Sequence, residues 1–213
     1  MISLKWLRVV ALGLMLVLAG CGGGSGDSGG GSSKKVAAGD SGETLTDPRD
    51  GKMYRTVKIG KLTWMAENLN FQTGNSWCYK NKNGNCQKYG RLYDWNTAMQ
   101  ACPAGWRLPT REDWNDLVQA AGGGVAGTKL KSKSPDWNGT DDFGFSALPG
   151  GYCYTDGSFS YVGTFGGWWS ATEHGADRAW RRGMNTGYDG VHEAWDYKGI
   201  GSSVRCVRGS GPT

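Results

Sequence analysis

Residues 22 to 33 are almost entirely glycine and serine. Such a stretch cannot bury enough apolar surface to repay the entropy of ordering it. Any fold must therefore be built by the residues C-terminal to it, which leaves room for one sizeable domain in a chain of 213 residues. Glycine supplies 37 positions and only 38% of residues are hydrophobic, which disfavours a helical bundle. Eleven Trp and nine Tyr compensate for the low aliphatic content. The expectation is a loop-rich domain with short strands and an aromatic core.

Ahead of the Gly/Ser tract, Lys5 and Arg8 precede an apolar run from Val9 to Leu18, the pattern of an export signal. Leu18-Ala19-Gly20-Cys21 resembles the bacterial lipobox, in which the cysteine becomes the first mature residue and carries lipid. Residues 1–20 are thus read as a signal peptide, 21–45 as a lipidated tether, 46–208 as the domain and 209–213 as a tail. The expected location is a membrane-anchored lipoprotein, with Gly22 leaning toward the outer membrane or cell surface. No later stretch approaches the roughly 18 apolar residues of a membrane span. Removing Lys5 and Arg8 leaves a net charge of +3. No basic run exceeds two residues, which argues against nucleic acid as a partner.

With Cys21 assigned to lipid, five of the six cysteines remain, and export favours disulfides. Cys78 and Cys86 flank the turn-rich Asn81-Lys82-Asn83-Gly84-Asn85, so a local bridge is easy to close. Cys102 follows an expected helix and Cys206 lies in the last expected strand, so pairing them would join the domain's two ends and leave Cys153 over. Five free buried thiols is the alternative, because sequence does not fix connectivity.

Met53 to Ile59 and Leu62 to Glu67 around Gly60-Lys61 read as a hairpin. Tyr93 to Ala101 reads as a short helix. Thr110 caps a second, with Asp113 three residues on and Trp114, Leu117, Val118 and Ala121 at helical spacing before a triple glycine. Beyond Phe145 the pattern is strand and turn, with Gly151 to Tyr154 and Phe159 to Val162 about Asp156-Gly157 as the best hairpin. Two helices followed by short antiparallel strands give an α+β expectation.

Ordered along the chain are Asp50-Gly51-Lys52, Val57-Lys58-Ile59-Gly60, Trp64-Met65-Ala66-Glu67-Asn68-Leu69-Asn70, Tyr89-Gly90-Arg91-Leu92-Tyr93, Gly105-Trp106-Arg107-Leu108-Pro109, Gly144-Phe145-Ser146-Ala147-Leu148-Pro149-Gly150-Gly151, Trp169-Ser170-Ala171-Thr172-Glu173 and Ser203-Val204-Arg205-Cys206-Val207. Together they resemble the Fibrobacter succinogenes major paralogous domain, a family of exported bacterial proteins, over residues 46 to 208. Trp106 to Trp114 with Ala120-Ala121-Gly122-Gly123, and the Val204-Arg205-Cys206 ending, are more distantly similar to the formylglycine-generating sulfatase-modifying family. These resemblances imply a C-type-lectin-like domain of two helices and short antiparallel strands with long loops, to which a Cys102–Cys206 bridge would be suited.

Catalysis of the formylglycine-generating type needs a cysteine pair shortly before the last strand. No cysteine lies between Cys153 and Cys206, and Ala179-Trp180-Arg181-Arg182-Gly183 offers no thiolate. The chain is therefore expected not to be an enzyme, the alternatives being a relative with relocated cysteines or a structural envelope protein. No zinc spacing occurs and no cofactor is expected. Asp136, Asn138, Asp141 and Asp142 give only a weak calcium signal, since an ordinary turn uses the same residues. Glu173 beside His174 reads as a surface pair.

Between Gly166 and Gly201, Trp168, Trp169, Trp180, Tyr188, Trp195 and Tyr197 interleave with His174, Arg178, Arg181, Arg182 and His192. Trp169 and Trp180 are expected to pack inward. Arg181, Arg182, Tyr188, His192, Trp195 and Tyr197 are the candidate binding residues for an extracellular glycan or protein, because flat rings and forked guanidinium donors suit recognition. The positions from His174 to Tyr197, including Asp177 and Asp189, also resemble the exchangeable stretch in variable proteins of diversity-generating retroelements.

Overall fold

A computed structural model describes residues 41–209. Their strands are β1 (Ser41–Thr46), β2 (Met53–Ile59), β3 (Leu62–Met65), β4 (Ser76–Trp77), β5 (Leu92–Tyr93), β6 (Gly150–Cys153), β7 (Phe159–Val162), β8 (Phe165–Glu173), β9 (Arg178–Asn185), β10 (His192–Tyr197), β11 (Ser202–Ser203) and β12 (Val207–Arg208). Their helices are α1 (Asn83–Tyr89), α2 (Trp95–Ala101), α3 (Arg111–Ala120) and α4 (Ala126–Leu130). Strand β1 begins inside the stretch assigned to the tether. Lipidation at Cys21 and the signal peptide lie outside the described residues. No described helix is long and apolar enough to cross a membrane.

Local chemistry explains the early elements. β2 and β3 pair antiparallel from Thr56 opposite Met65 to Ile59 opposite Leu62, turning at Gly60 with a φ of 64°. Asp94 caps α2 by accepting from Thr97 N at 2.7 Å. Thr110 and Asp113 form the expected capping box of α3. One sheet runs β1-β2-β3-β12, and the other follows β10-β9-β8-β11-β5-β4 with β6 and β7 attached beside β8.

The expected α+β, C-type-lectin-like class is wrong: the chain builds a β-rich sandwich of two sheets and twelve described strands, with four helices of only 5 to 10 residues. Strand and turn are the expectation after Phe145, but as short strands between long loops; the glycine-rich segment after residue 165 instead forms β8, β9 and β10 of 9, 8 and 6 residues. Glycine there serves packing. A Cβ on Gly166 would lie 2.5 Å from the Trp168 ring, and one on Gly167 or Gly183 would lie 2.8 Å from that of Phe165. Helix α1, which begins within the Cys78–Cys86 loop and runs past Cys86 to Tyr89, and α4 beyond the triple glycine are further elements that the sequence pattern does not reveal.

Adjacent side chains of a strand point to opposite faces, so Trp168 and Trp169 on β8 enter separate cores. Trp168 joins Trp64, Trp114, Leu117, Phe145 and Met184. Trp169 joins Tyr93, Trp95, Ala98, Ala179 and Val204. Each indole finds an acceptor, Trp168 Nε1 at Asn68 Oδ1 and Trp169 Nε1 at Tyr93 O, both at 2.8 Å. Arg205, fully buried, donates to Asn68 Oδ1 at 2.8 Å, to the carbonyls of Met65 at 3.1 Å and Ser146 at 2.8 Å, and to that of Phe145. Burial pushes its pKa down to about 9, still above neutral pH.

Disulfides join Cys78 to Cys86 (Cα–Cα 4.9 Å) and Cys102 to Cys206 (Cα–Cα 5.8 Å). The second ties the end of α2 to the residue before β12 across a separation of 104. Cys153 is free and buried.

Candidate functional site

Residues directly opposite in a sheet share a face. His192 pairs with Gly183 and Ala194 with Arg181, while Glu193 pairs with Arg182 and Trp195 with Trp180. Arg181 and His192 therefore project to one side of β9 and β10, and Arg182, Trp195 and Tyr197 to the other. Tyr188, from the connecting loop, stacks on His192 with centroids 4.2 Å apart. The six candidate residues do not form one site. Sequence reasoning misses the division because it depends on strand pleat.

On the Arg181 side, the bare backbone of Gly167 opposite Gly183 lets the Phe165 ring lie across the sheet. The Arg181 guanidinium sits 5.0 Å from that ring's centroid and its Nε donates to Asp196 Oδ2 at 3.1 Å. Tyr152 meets Phe165 edge-on at 5.8 Å and stacks on Tyr161 at 5.4 Å. With Thr164, Asn185 and Thr186 these side chains line a pocket of about 340 Å³. Of its residues, Arg181 alone is a candidate from the sequence. The available signal is the alternation of aromatics in Tyr152, Tyr154, Phe159 and Tyr161, which by itself places only a hairpin.

Tyr161 is 56% exposed and holds a φ of 66°, a left-handed conformation costly for a bulky side chain. Asn185 Oδ1, His192 Nε2 and Arg178 Nε are the buried side-chain polar atoms without a hydrogen-bond partner among the described residues. Arg178 Nε lies 3.8 Å from the Asp177 carboxylate. Asn185 is a lining residue whose Oδ1 is itself closed to solvent, and His192 projects to the same face of the sheet. Burial, aided by the Arg181 charge, pushes the His192 pKa below its usual 6.5. Burial and the Tyr154 hydroxyl push the Tyr152 phenol upward.

The opposite side is held by ion pairs and ring contacts, with Arg178 Nε as its unpartnered buried atom among the described residues. Arg182 is 5% exposed, ion-paired with Glu193 and hydrogen-bonded to Asn115 Oδ1. Its side chain ties β9 to β10 and α3. Burial lowers its pKa. Arg111 pairs with Glu193 and lies 4.2 Å over Trp180, which is half-buried rather than packed into a core. His174 stacks on Trp195 at 5.2 Å, while Arg178 covers Trp195 at 4.4 Å and Tyr197 at 4.8 Å. Glu173 accepts from Lys198 Nζ at 2.6 Å.

The acidic stretch is engaged as a turn. Asp141 accepts from Ser146 N at 2.7 Å and from Ser146 Oγ at 2.6 Å. Among the described residues no group of three or more His, Cys, Asp or Glu side chains is placed to hold a metal. Burial raises the Cys153 thiol pKa.

Comparison with known protein families matches residues 57–208 to the Fibrobacter succinogenes major domain. No curated protein and no solved structure matches, so the expected kinship with the sulfatase-modifying family gains no support.

Proposed function

The chain belongs to the Fibrobacter succinogenes major domain family, and from that premise we propose that it is a displayed binding module. It is anchored as a lipoprotein through Cys21 and takes an extracellular ligand on the Arg181 face of β8–β10. The observation that carries the reading is the pocket itself, in which Tyr152, Tyr161, Phe165 and Arg181 converge beside an exposed aromatic ring. The pocket side chains are Tyr, Thr, Phe, Arg and Asn, and none has an ordinary pKa near neutral pH, which favours recognition over acid-base chemistry.

The test has two arms. Cys21→Ser should move the protein from the membrane to the soluble fraction and abolish its labelling on intact cells; unchanged partition refutes the anchor. Tyr152→Ala should reduce retention of the full chain on immobilised extracellular glycans and matrix proteins, and Trp195→Ala should leave it intact. The reverse pattern refutes the face.

A further inference from the structure

We infer, resting on that reading of the binding face, that the pocket takes one uncharged sugar ring of a glycan. Its size sets the first bound. About 340 Å³ is near the lower end of small-molecule pockets, roughly 300–1,000 Å³, so it holds a unit rather than a long segment.

Charge sets the second. Arg181 is the sole cation in the lining, and Asp196 neutralises it at 3.1 Å. An anionic ligand would have to compete with that carboxylate, whereas a neutral one leaves the pair intact.

The polar and flat groups of the lining set the third. Asn185 and Thr186 are uncharged polar residues of the lining, matched by a neutral ligand that carries hydroxyls. Thr186 adds a hydroxyl able to donate or accept, and Thr164 Oγ1, which donates to Tyr161 O at 3.2 Å, keeps its capacity to accept. The remaining wall is flat and apolar: Tyr161 packs on Tyr152 at an interplanar angle of 29° yet stays 56% exposed. A pyranose combines these requirements, with a C–H face to lie on a ring and a circumference of neutral hydroxyls that both donate and accept. Tyr161 is thus held in a left-handed backbone where its own packing gains little, and its use is the surface it offers.

The full chain, solubilised in detergent, is tested by calorimetry against cellohexaose, xylohexaose, mannohexaose, N-acetylchitohexaose and galactohexaose, with polygalacturonate as the anionic control. At least one neutral oligosaccharide should bind more tightly than the control. Tyr161→Ala should weaken that binding tenfold or more. Tyr161→Phe, which keeps the ring, should stay within about threefold, and Trp195→Ala on the opposite face should match the parent. Circular dichroism checks that each variant is folded.

Binding to none of the neutral oligosaccharides, or equal binding by Tyr161→Ala, overturns the sugar assignment. Loss of a peptide or anionic ligand in Tyr161→Ala, with no neutral glycan bound, overturns it too but leaves the binding face standing. Glycan binding destroyed by Trp195→Ala and untouched by Tyr161→Ala overturns both.

Discussion

Around Arg205 and around Arg181 the chain assembles the same materials, aromatic rings with an asparagine and a guanidinium, in opposite states. In the interior, Arg205 is wholly buried, its donors reach three carbonyls and Asn68 Oδ1, and that same oxygen receives Trp168 Nε1. On the sheet face, Arg181 is only partly buried and holds one carboxylate, while Asn185 Oδ1 nearby has no partner and Tyr161 is exposed. Composition does not separate framework from binding surface here. Satisfaction of the polar atoms does, because an unmet buried acceptor is tolerated only where something else sustains it.

The strongest way to break the contrast is to weaken the framework. Replacing Cys102 and Cys206 together by alanine opens a loop spanning 104 residues. The chain-entropy model then gives a loss of about 4–5 kcal/mol in urea unfolding. Opening Cys78–Cys86, with a separation of 8, should cost only about 2–3 kcal/mol by the same model. Equal losses would mean that the long bridge is not what holds the two ends of the domain.

Next in size is Arg205→Met, which leaves buried carbonyls of Met65, Phe145 and Ser146 without this donor. A loss of about 3 kcal/mol is expected. Arg181→Met, whose partner Asp196 can be rehydrated, should stay within about 1 kcal/mol. If the two changes cost the same, the distinction between the regions fails.

Sequence alone reaches the framework further than the face. Thr110 and Asp113 announce α3 through a local cap, and Gly60 announces the β2–β3 turn, since both signals act within a few residues. Helix α1 is hidden because Asn83-Gly84-Asn85 has the chemistry of a turn, and its burial of Cys86 is a tertiary matter. The pocket is hidden for a related reason. No local signal marks Gly167 and Gly183 as opposite partners in adjacent strands that give Phe165 its place. Only register brings them together. Arg182 and Arg181 illustrate the same limit: adjacent and identical, they divide into a buried strut and a pocket wall by the strand alternation.

A smaller effect sharpens the comparison from the other side. Tyr161→Gly removes an exposed ring and supplies the residue best suited to a φ of 66°. Relief of strain opposes the added freedom of the unfolded chain, so stability should change by about 1 kcal/mol or less. A drop of several kcal/mol would make Tyr161 part of the framework.

The smallest expected effect is electrostatic and belongs to His192. Burial is the first cause of its lowered pKa and the Arg181 charge the second. Its Nε2 has no acceptor to hold a proton, and the Tyr188 ring stacked on it supplies none. The unfolded chain therefore takes up the proton first as pH falls. Stability from this group is complete above about pH 6.5, declines as pH drops from there toward the lower folded value, and levels off beneath it. Urea unfolding at pH 7.5 and 5.5 should show a larger acid loss for the parent than for His192→Phe, with the carboxylate contributions common to both. The same acid loss in the two proteins would mean that His192 finds a proton acceptor on this face, and that the face is better satisfied than Asn185 and His192 now indicate.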